Sequence, residues 1–214
     1  MLVFSPQRLV LLAVPKTGST ALEAALTPLA SMVVRSPPEL KHAPVYRYNR
    51  FFRPMVERFA GGEVAVAAVM REPVSWLGSW YRYRHRAALA DHPNSTRGIS
   101  FDTFVSAYCQ GKPQEFANVG AQSKFLEPQR NGTKVTHLFR YEEQADLMDF
   151  LEDRLGTRIE TARHNASPCL GLELSERTEA RLRRKHADDF ALWQSIAGGG
   201  VYSPLPARTK PSAS

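Results

Sequence analysis

A doubly wound α/β fold is predicted for this chain, on three observations. Two continuous apolar runs, residues 9–14 (LVLLAV) and 64–70 (VAVAAVM), have strand length and no polar alternation. That is the pattern of strands covered on both faces of a parallel sheet. Each run leads straight into a turn and then a helix, and the alternation of strand and helix continues to the end of the chain. In such sheets ligands bind outside the carboxyl ends of the strands.

The elements follow in order. After residues 9–14 and the turn PKTGST, a helix carries Leu22, Ala25, Leu26 and Leu29 on one face at i, i+3, i+4, i+7 spacing. Residues 32–34 form a second short strand. Residues 36–48 hold Pro37, Pro38 and Pro44 and read as a loop without regular helix. Residues 49–59 are helical up to Gly61-Gly62. The strand 64–70 precedes Pro73, which sits in the first turn of a helix where its missing donor costs nothing, and that helix runs to about residue 90. A polar loop (91–100) and a short helix (101–110), with Asp102 in its first turn, come next. Residues 134–139 are a third buried strand, and the helix 142–155 turns Leu147, Phe150, Leu151 and Leu155 inward. The last helix starts at Ser175 as N-cap, carries Leu182, His186, Phe190 and Trp193, and ends at Gly198–Gly200. The 214 residues suit a single domain over 1–202, with a tail, 203–214, rich in Pro, Ser and Ala and expected to be mobile.

Composition narrows the class. Hydrophobic residues at 43% and charged residues at 23% exclude a disordered chain, a fibre and a disulfide-stapled scaffold. The formal net charge is +7, mostly from arginine, whose planar fork grips phosphate, sulfate or carboxylate bidentately. Cys109 and Cys169 lack a CxxC spacing and read as reduced thiols. Residues 9–14 are too short for a signal-peptide core, and no run approaches the ~18 residues that span a bilayer. A soluble, cytoplasmic protein is expected, in which the sequons at Asn94, Asn131 and Asn165 have no role.

The turn Pro15-Lys16-Thr17-Gly18-Ser19-Thr20 has phosphate-binding chemistry. Free N–H groups, a helix amino terminus, a lysine and hydroxyls converge, and Gly18 lets the backbone approach an anion. An ordinary βα turn with a capped helix is the plain alternative. The turn is not a Walker A loop, because Lys16 precedes the glycine, and the second strand runs into Arg71-Glu72 rather than a metal-holding Asp. On the helix that follows, Ser75, Ser79, Arg82 and Arg86 share one face, so a phosphate at its start could meet Arg71 and Ser79 together. Arg82, Arg84 and Arg86 read as a solvated face, and the aromatics Trp76, Trp80, Tyr81, Tyr83, Phe101 and Phe104 read first as core and second as a wall for a base.

PKTGST after strand one, with Arg71-Glu72-Pro73 and a serine eight residues past the arginine, resembles the PAPS-dependent sulfotransferases, in particular their carbohydrate-type branch (PAPS is 3′-phosphoadenosine 5′-phosphosulfate). The likeness extends more loosely to Leu40-Lys41-His42, Gln122, Phe139-Arg140-Tyr141-Glu142 and the last helix. It implies a P-loop-like three-layer sandwich with a central parallel sheet. It also implies transfer of a sulfuryl group from PAPS to an acceptor hydroxyl, on a carbohydrate or glycoconjugate, leaving PAP and using no metal; the basic surface would attract an acidic acceptor. By the same resemblance Lys16 neutralises the bridging oxygen, Thr17, Gly18, Ser19 and Thr20 hold the 5′-phosphate, and Arg71 and Ser79 hold the 3′-phosphate. His42 is then the general base, a role its pKa range suits. Glu39 and Glu23 are the alternatives, whereas His85, His92, His137, His164 and His186 have less claim. Residues 140–143 or 198–204 would close over the nucleotide. Two other readings stand beside this one: a small-molecule kinase with a divergent loop, and a basic nucleic-acid-binding module using the helix 74–86.

Overall fold

The computed structural model describes residues 1–160 and 170–205. The sheet comprises β1 (Leu2–Phe4), β2 (Leu9–Leu11), β3 (Met32–Val33), β4 (Ala65–Met70) and β5 (His137–Arg140), in the order β3-β1-β2-β4-β5. β2, β4 and β5 run parallel, as the buried runs predict. The sheet as a whole is mixed, because β1 lies antiparallel between β2 and β3. This corrects the parallel sheet expected from sequence. The cause is a tight turn: Arg8 N–H donates to Ser5 O at 3.1 Å, Arg8 adopts φ +48°, and its guanidinium donates to Ala60 O and Gly61 O.

Period-two alternation divides the sheet between two cores. Val10, Val66, Ala68, Met70 and Leu138 face one layer of helices: α3 (Val45–Arg47), α4 (Arg53–Ala60), α7 (Gln122–Phe125) and α10 (Ala187–Gln194). Leu9, Leu11, Ala67, Val69 and Phe139 face α1 (Ser19–Leu26) and α8 (Gln144–Leu155). The result is helices on both faces of a sheet. A third cluster joins α5 (Pro73–Arg84), α6 (Phe101–Tyr108) and α9 (Glu176–Lys185), and it buries Trp76, Tyr81, Phe101 and Phe104, the core role read for them.

Several boundaries differ from the sequence reading. The proline-rich segment 36–48 is not loop throughout: Pro38 starts α2 (Pro38–Lys41), and Pro44 caps α3. Proline is tolerated at such starts because the first N–H has no acceptor anyway. A π turn, Tyr48–Phe52, then leads into α4, which ends on Gly61 at φ +74°. α5 stops at Arg84 rather than near residue 90. The last helix is two, because His186 adopts non-helical φ −119° and ψ 36° between α9 and α10, although Ser175 caps it as read, accepting from Thr178 N–H. Leu205 packs against the first core, so the packed chain reaches beyond residue 202. Cys169, His164, Asn165 and residues 206–214 lie outside the described residues.

Gly200 locks the end of the fold against β5. It stands at φ +76°, and a Cβ there would lie 2.7 Å from the ring of Phe139, itself a fully buried side chain. Gly200→Ala should therefore lower stability by about 2 kcal/mol, from the left-handed backbone and overpacking together. An unchanged urea midpoint would contradict this packing.

Candidate functional site

Parallel pairing of β2 with β4 brings the two strand–helix junctions side by side. Leu12 N–H donates to Ala67 O at 2.9 Å, extending the ladder toward both turns. The PKTGST turn is fixed from beneath: the buried Thr17 hydroxyl donates to Val14 O at 2.8 Å, and Trp76 Nε1–H donates to Pro15 O at 2.8 Å. Thr17 is thus a structural brace of the loop. Lys16 is held at φ +68° and Gly18 at φ +75°. The left-handed backbone costs a lysine about 1 kcal/mol, which the two braces must offset. Gly18 is the N-cap of α1, and no side chain caps that helix. Its leading N–H groups, which have no intrahelical acceptor, therefore sit at the positive end of the helix beside the Ser19 and Thr20 hydroxyls.

Lys16 is a cation among cations. Burial lowers its pKa first, Arg86, Arg71 and Arg82 lower it further, and the ammonium is brought down to about 8. Among the described residues no carboxylate opposes this shift. The ammonium lies 4.1 Å from the ring centre of Tyr83 and 5.6 Å from that of Trp80, so aromatic faces supply its nearest compensation. Trp80 Nε1–H is buried without an acceptor among the described residues. Among the described residues Arg82 and Arg86 form no ion pair, and Arg86 stacks 4.8 Å from the Tyr83 ring centre. Arg86 is exposed and Arg82 half-buried, in keeping with the solvated face read for them, though both act on the Lys16 charge. Arg84 corrects that reading: it is buried and donates to Glu115 O and Asn118 O.

Arg71 is positioned by its backbone. The buried Gln122 accepts from Arg71 N–H at 2.9 Å and donates to Arg71 O at 2.8 Å, a two-point clamp in place of another strand. The guanidinium donates from Nε to Ser75 Oγ at 2.8 Å and from NH1 to Lys16 O at 3.4 Å, and it stacks 4.3 Å from the Tyr141 ring centre. Burial lowers its pKa, and Tyr141 and Glu142 partly counter that. No hydrogen bond joins Ser79 to Arg71; the residue paired with Arg71 on α5 is Ser75, one turn earlier. Tyr141 also lies under Gly18, 3.3 Å from where a Cβ would be. Tyr141 and Gln122 were legible only as loose resemblance, since neither type carries charge or metal chemistry on its own.

His42 closes α2 and places Nδ1 2.7 Å from Ala13 O, at the carboxyl end of β2. With Nδ1–H donating there, Nε2 carries the lone pair. Burial lowers the His42 pKa, the Ala13 carbonyl opposes this and Lys41 adds to it, and the net shift is downward, in favour of the neutral ring. Glu23 is already engaged, pairing with Lys41 and Arg35, each at 3.0 Å. Burial raises its carboxyl, but these two cations outweigh that and hold it below the ordinary range. Of the four other described histidines, His186 stacks on Tyr108 at 4.1 Å, His137 meets Thr136 and Phe150, and His92 accepts from Asn94 N–H, while His85 lies 6.0 Å from the Tyr81 ring centre with its buried Nδ1 unpartnered among the described residues.

Among the described residues no cluster of three or more His, Cys, Asp or Glu is arranged to hold a metal ion. A separate cavity of about 410 Å³ lies between α7, α10 and residues 202–205, lined by Leu126, Val135, Leu138, Leu192, Tyr202 and Leu205. None of the cationic residues described above lines it.

Gln122→Ala should strand the half-buried N–H and C=O of Arg71 and lower stability by about 1–3 kcal/mol. The urea midpoint measures this, and a loss under 0.5 kcal/mol (about the size of an ordinary surface change) would show that the clamp is not needed. No family model matches the chain and no curated protein matches it, so the site is read from its own geometry.

Proposed function

We propose that the chain is a sulfotransferase that moves a sulfuryl group from PAPS to an acceptor hydroxyl, on a carbohydrate or glycoconjugate. The observation that carries this reading is the half-buried Lys16, repelled by Arg71, Arg82 and Arg86 beside an uncapped helix amino terminus. Such a cluster is costly empty and gains most from a ligand bearing several negative charges. The fit extends to a nucleotide: Trp80 and Tyr83 offer aromatic faces, and Trp80 Nε1–H lacks an acceptor among the described residues. PAPS, when bound, supplies an activated sulfur whose bond to the 5′-phosphate oxygen is ready to break.

The residues divide the work. The α1 amino terminus with Gly18, Ser19 and Thr20 holds the 5′-phosphate, and Thr17 keeps the turn in shape. Arg71, fixed by Gln122 and steered by Ser75 and Tyr141, holds the 3′-phosphate. Ser79 joins it only where the ligand itself bridges them. Lys16 neutralises the oxygen that leaves as the sulfur–oxygen bond breaks. His42 Nε2 takes the proton of the acceptor hydroxyl as its oxygen bonds to sulfur, while Ala13 O orients the ring. PAP leaves with the electron pair of the broken bond, and no metal enters the scheme.

Thermal shift tests the cofactor. 3′,5′-Adenosine bisphosphate should stabilise the wild type, and Lys16→Ala or Arg71→Ala should each weaken binding ~10–100-fold, the loss of a charge-assisted bond. Selective stabilisation by ATP with magnesium would instead favour a kinase. Binding of nucleic acid that is indifferent to Lys16→Ala and falls steeply with salt would favour a nucleic-acid module.

Kinetics test the base. His42→Ala should retain the bisphosphate thermal shift and lose ~10²–10⁴-fold in kcat. For the wild type, kcat/KM should rise as His42 loses its proton, below the ordinary histidine range, and fall above pH about 8 as Lys16 loses its own. A profile still flat at pH 9.5, about 1.5 units above that midpoint, would remove Lys16 from the chemistry.

A further inference from the structure

Among the described residues, the segment from α3 through the π turn to α4 carries the most exposed apolar face. Tyr46 is 48% exposed, Phe51 59%, Met55 42% and Phe59 82%. These are four of the seven large hydrophobic residues exposed among the described residues. Val45, Tyr48, Phe52 and Val56 point the other way into the core, so the outward set is not spill-over from burial. Phe51, Met55 and Phe59 stand at i, i+4, i+8 along the helix. The π turn Tyr48–Phe52, closed by Arg53 N–H donating to Tyr48 O, adds the extra residue that brings Tyr46 onto the exposed side as well. The stripe runs over roughly 20 Å, at 1.5 Å per residue.

The charge on this face has one sign. Arg50 and Arg58 are exposed beside the stripe, and Arg50 stacks 5.4 Å from the ring centre of Phe51. Arg47 flanks Tyr46 at 5.6 Å. The segment's acidic residue, Glu57, is half-buried and paired with Arg53 at 2.8 Å, so it does not neutralise the exposed arginines. Aromatic and methionine side chains ringed by arginine on a solvent-facing helix have the chemistry of an interfacial segment: apolar groups enter the acyl boundary while cations meet lipid phosphates.

We propose that this face docks the protein on an anionic lipid surface, with Phe51, Met55 and Phe59 inserted and Arg50 and Arg58 on the headgroups. The attachment proposed is peripheral, through side chains of one helix face; no helix among the described residues is long and apolar enough to cross a membrane. The commitment to lipid follows from charge complementarity: the face combines a continuous apolar stripe with unopposed arginines on a chain of net charge +7.

Vesicle co-sedimentation tests it, with the full chain and phosphatidylcholine vesicles with or without about one-third phosphatidylserine. The wild type should bind the anionic vesicles and lose that binding in high salt. Arg50→Gln with Arg58→Gln should weaken partitioning about 25-fold, near fivefold per arginine. Phe51→Ser with Phe59→Ser should weaken it at least tenfold, and the exposure of both residues keeps the fold intact. Lys16→Ala should bind vesicles as the wild type does, so failure of the catalytic reading leaves this one standing. Absence of vesicle binding overturns the proposal, whether the face then proves to be a dimer contact by sedimentation velocity or binds an acidic protein. Vesicle binding unaffected by either double variant overturns it equally.

Discussion

The parallel pairing of β2 with β4 is the constraint on which the site depends. It sets Leu9 opposite Ala65, Val10 opposite Val66 and Leu11 opposite Ala67, so the turns that follow both strands emerge at one edge. Arg71 NH1 then reaches Lys16 O at 3.4 Å across 55 residues of sequence. A one-residue slip would turn every side chain of β4 to the opposite face and set Ala68 rather than Ala67 against Leu11. The hydrophobic alternation that divides the sheet between its two cores therefore also fixes the distance between the two cationic junctions. Fold stability and site geometry are one property here, seen from opposite ends of the strands.

At that edge local favourability is given up. Lys16 occupies a left-handed backbone, sits partly buried, and faces arginines with no carboxylate acting on it among the described residues. Each feature alone destabilises the chain, and their coincidence at one residue is what a site for a polyanion requires. The surrounding bonds show how the fold tolerates it. Thr17 and Trp76 pin the turn, Gln122 replaces a missing strand neighbour for Arg71, and Tyr141 presents its ring to Arg71 while lying under Gly18. All four of these braces are uncharged. Uncharged braces hold the cations in place without neutralising the field that a ligand would use.

Much of this was legible in the sequence, for physical reasons. Residues 9–14 and 64–70 are apolar throughout because both faces of their strands are covered, and Pro73 and Ser175 mark helix starts through backbone chemistry that any context preserves. The β1 hairpin was not legible, since three residues are too few for periodicity to distinguish a strand from any apolar start. The break at His186 was hidden because the apolar spacing continues on both sides of it. Arg82, Arg84 and Arg86 look alike in sequence, yet Arg84 bonds the carbonyls of residues 115 and 118, while Arg82 and Arg86 act on Lys16. That difference is decided by which backbone packs behind the helix, and such long-range contacts leave no local signal.

The exposed face and the His42 turn belong to one continuous stretch, which limits what binding on that face can do. Arg47 donates to Glu39 O, tying α3 back to α2, and His42 N–H donates to Pro38 O. At the other end Arg53 and Asn49 bond Thr133, and Asn131 donates to Asn49 at 3.0 Å, fastening the helix to the loop before β5. With Val45, Tyr48 and Val56 buried as well, the segment is held along its length. A surface seated on Phe51 and Phe59 therefore meets a rigid helix, not a hinged one, and has little differential affinity with which to shift His42. Docking would orient the molecule, setting which way the carboxyl edge of the sheet faces, and would leave the chemistry proposed for Lys16 and His42 unchanged. On the proposed function, orientation of that kind would favour acceptors held at the same surface through local concentration rather than through new contacts.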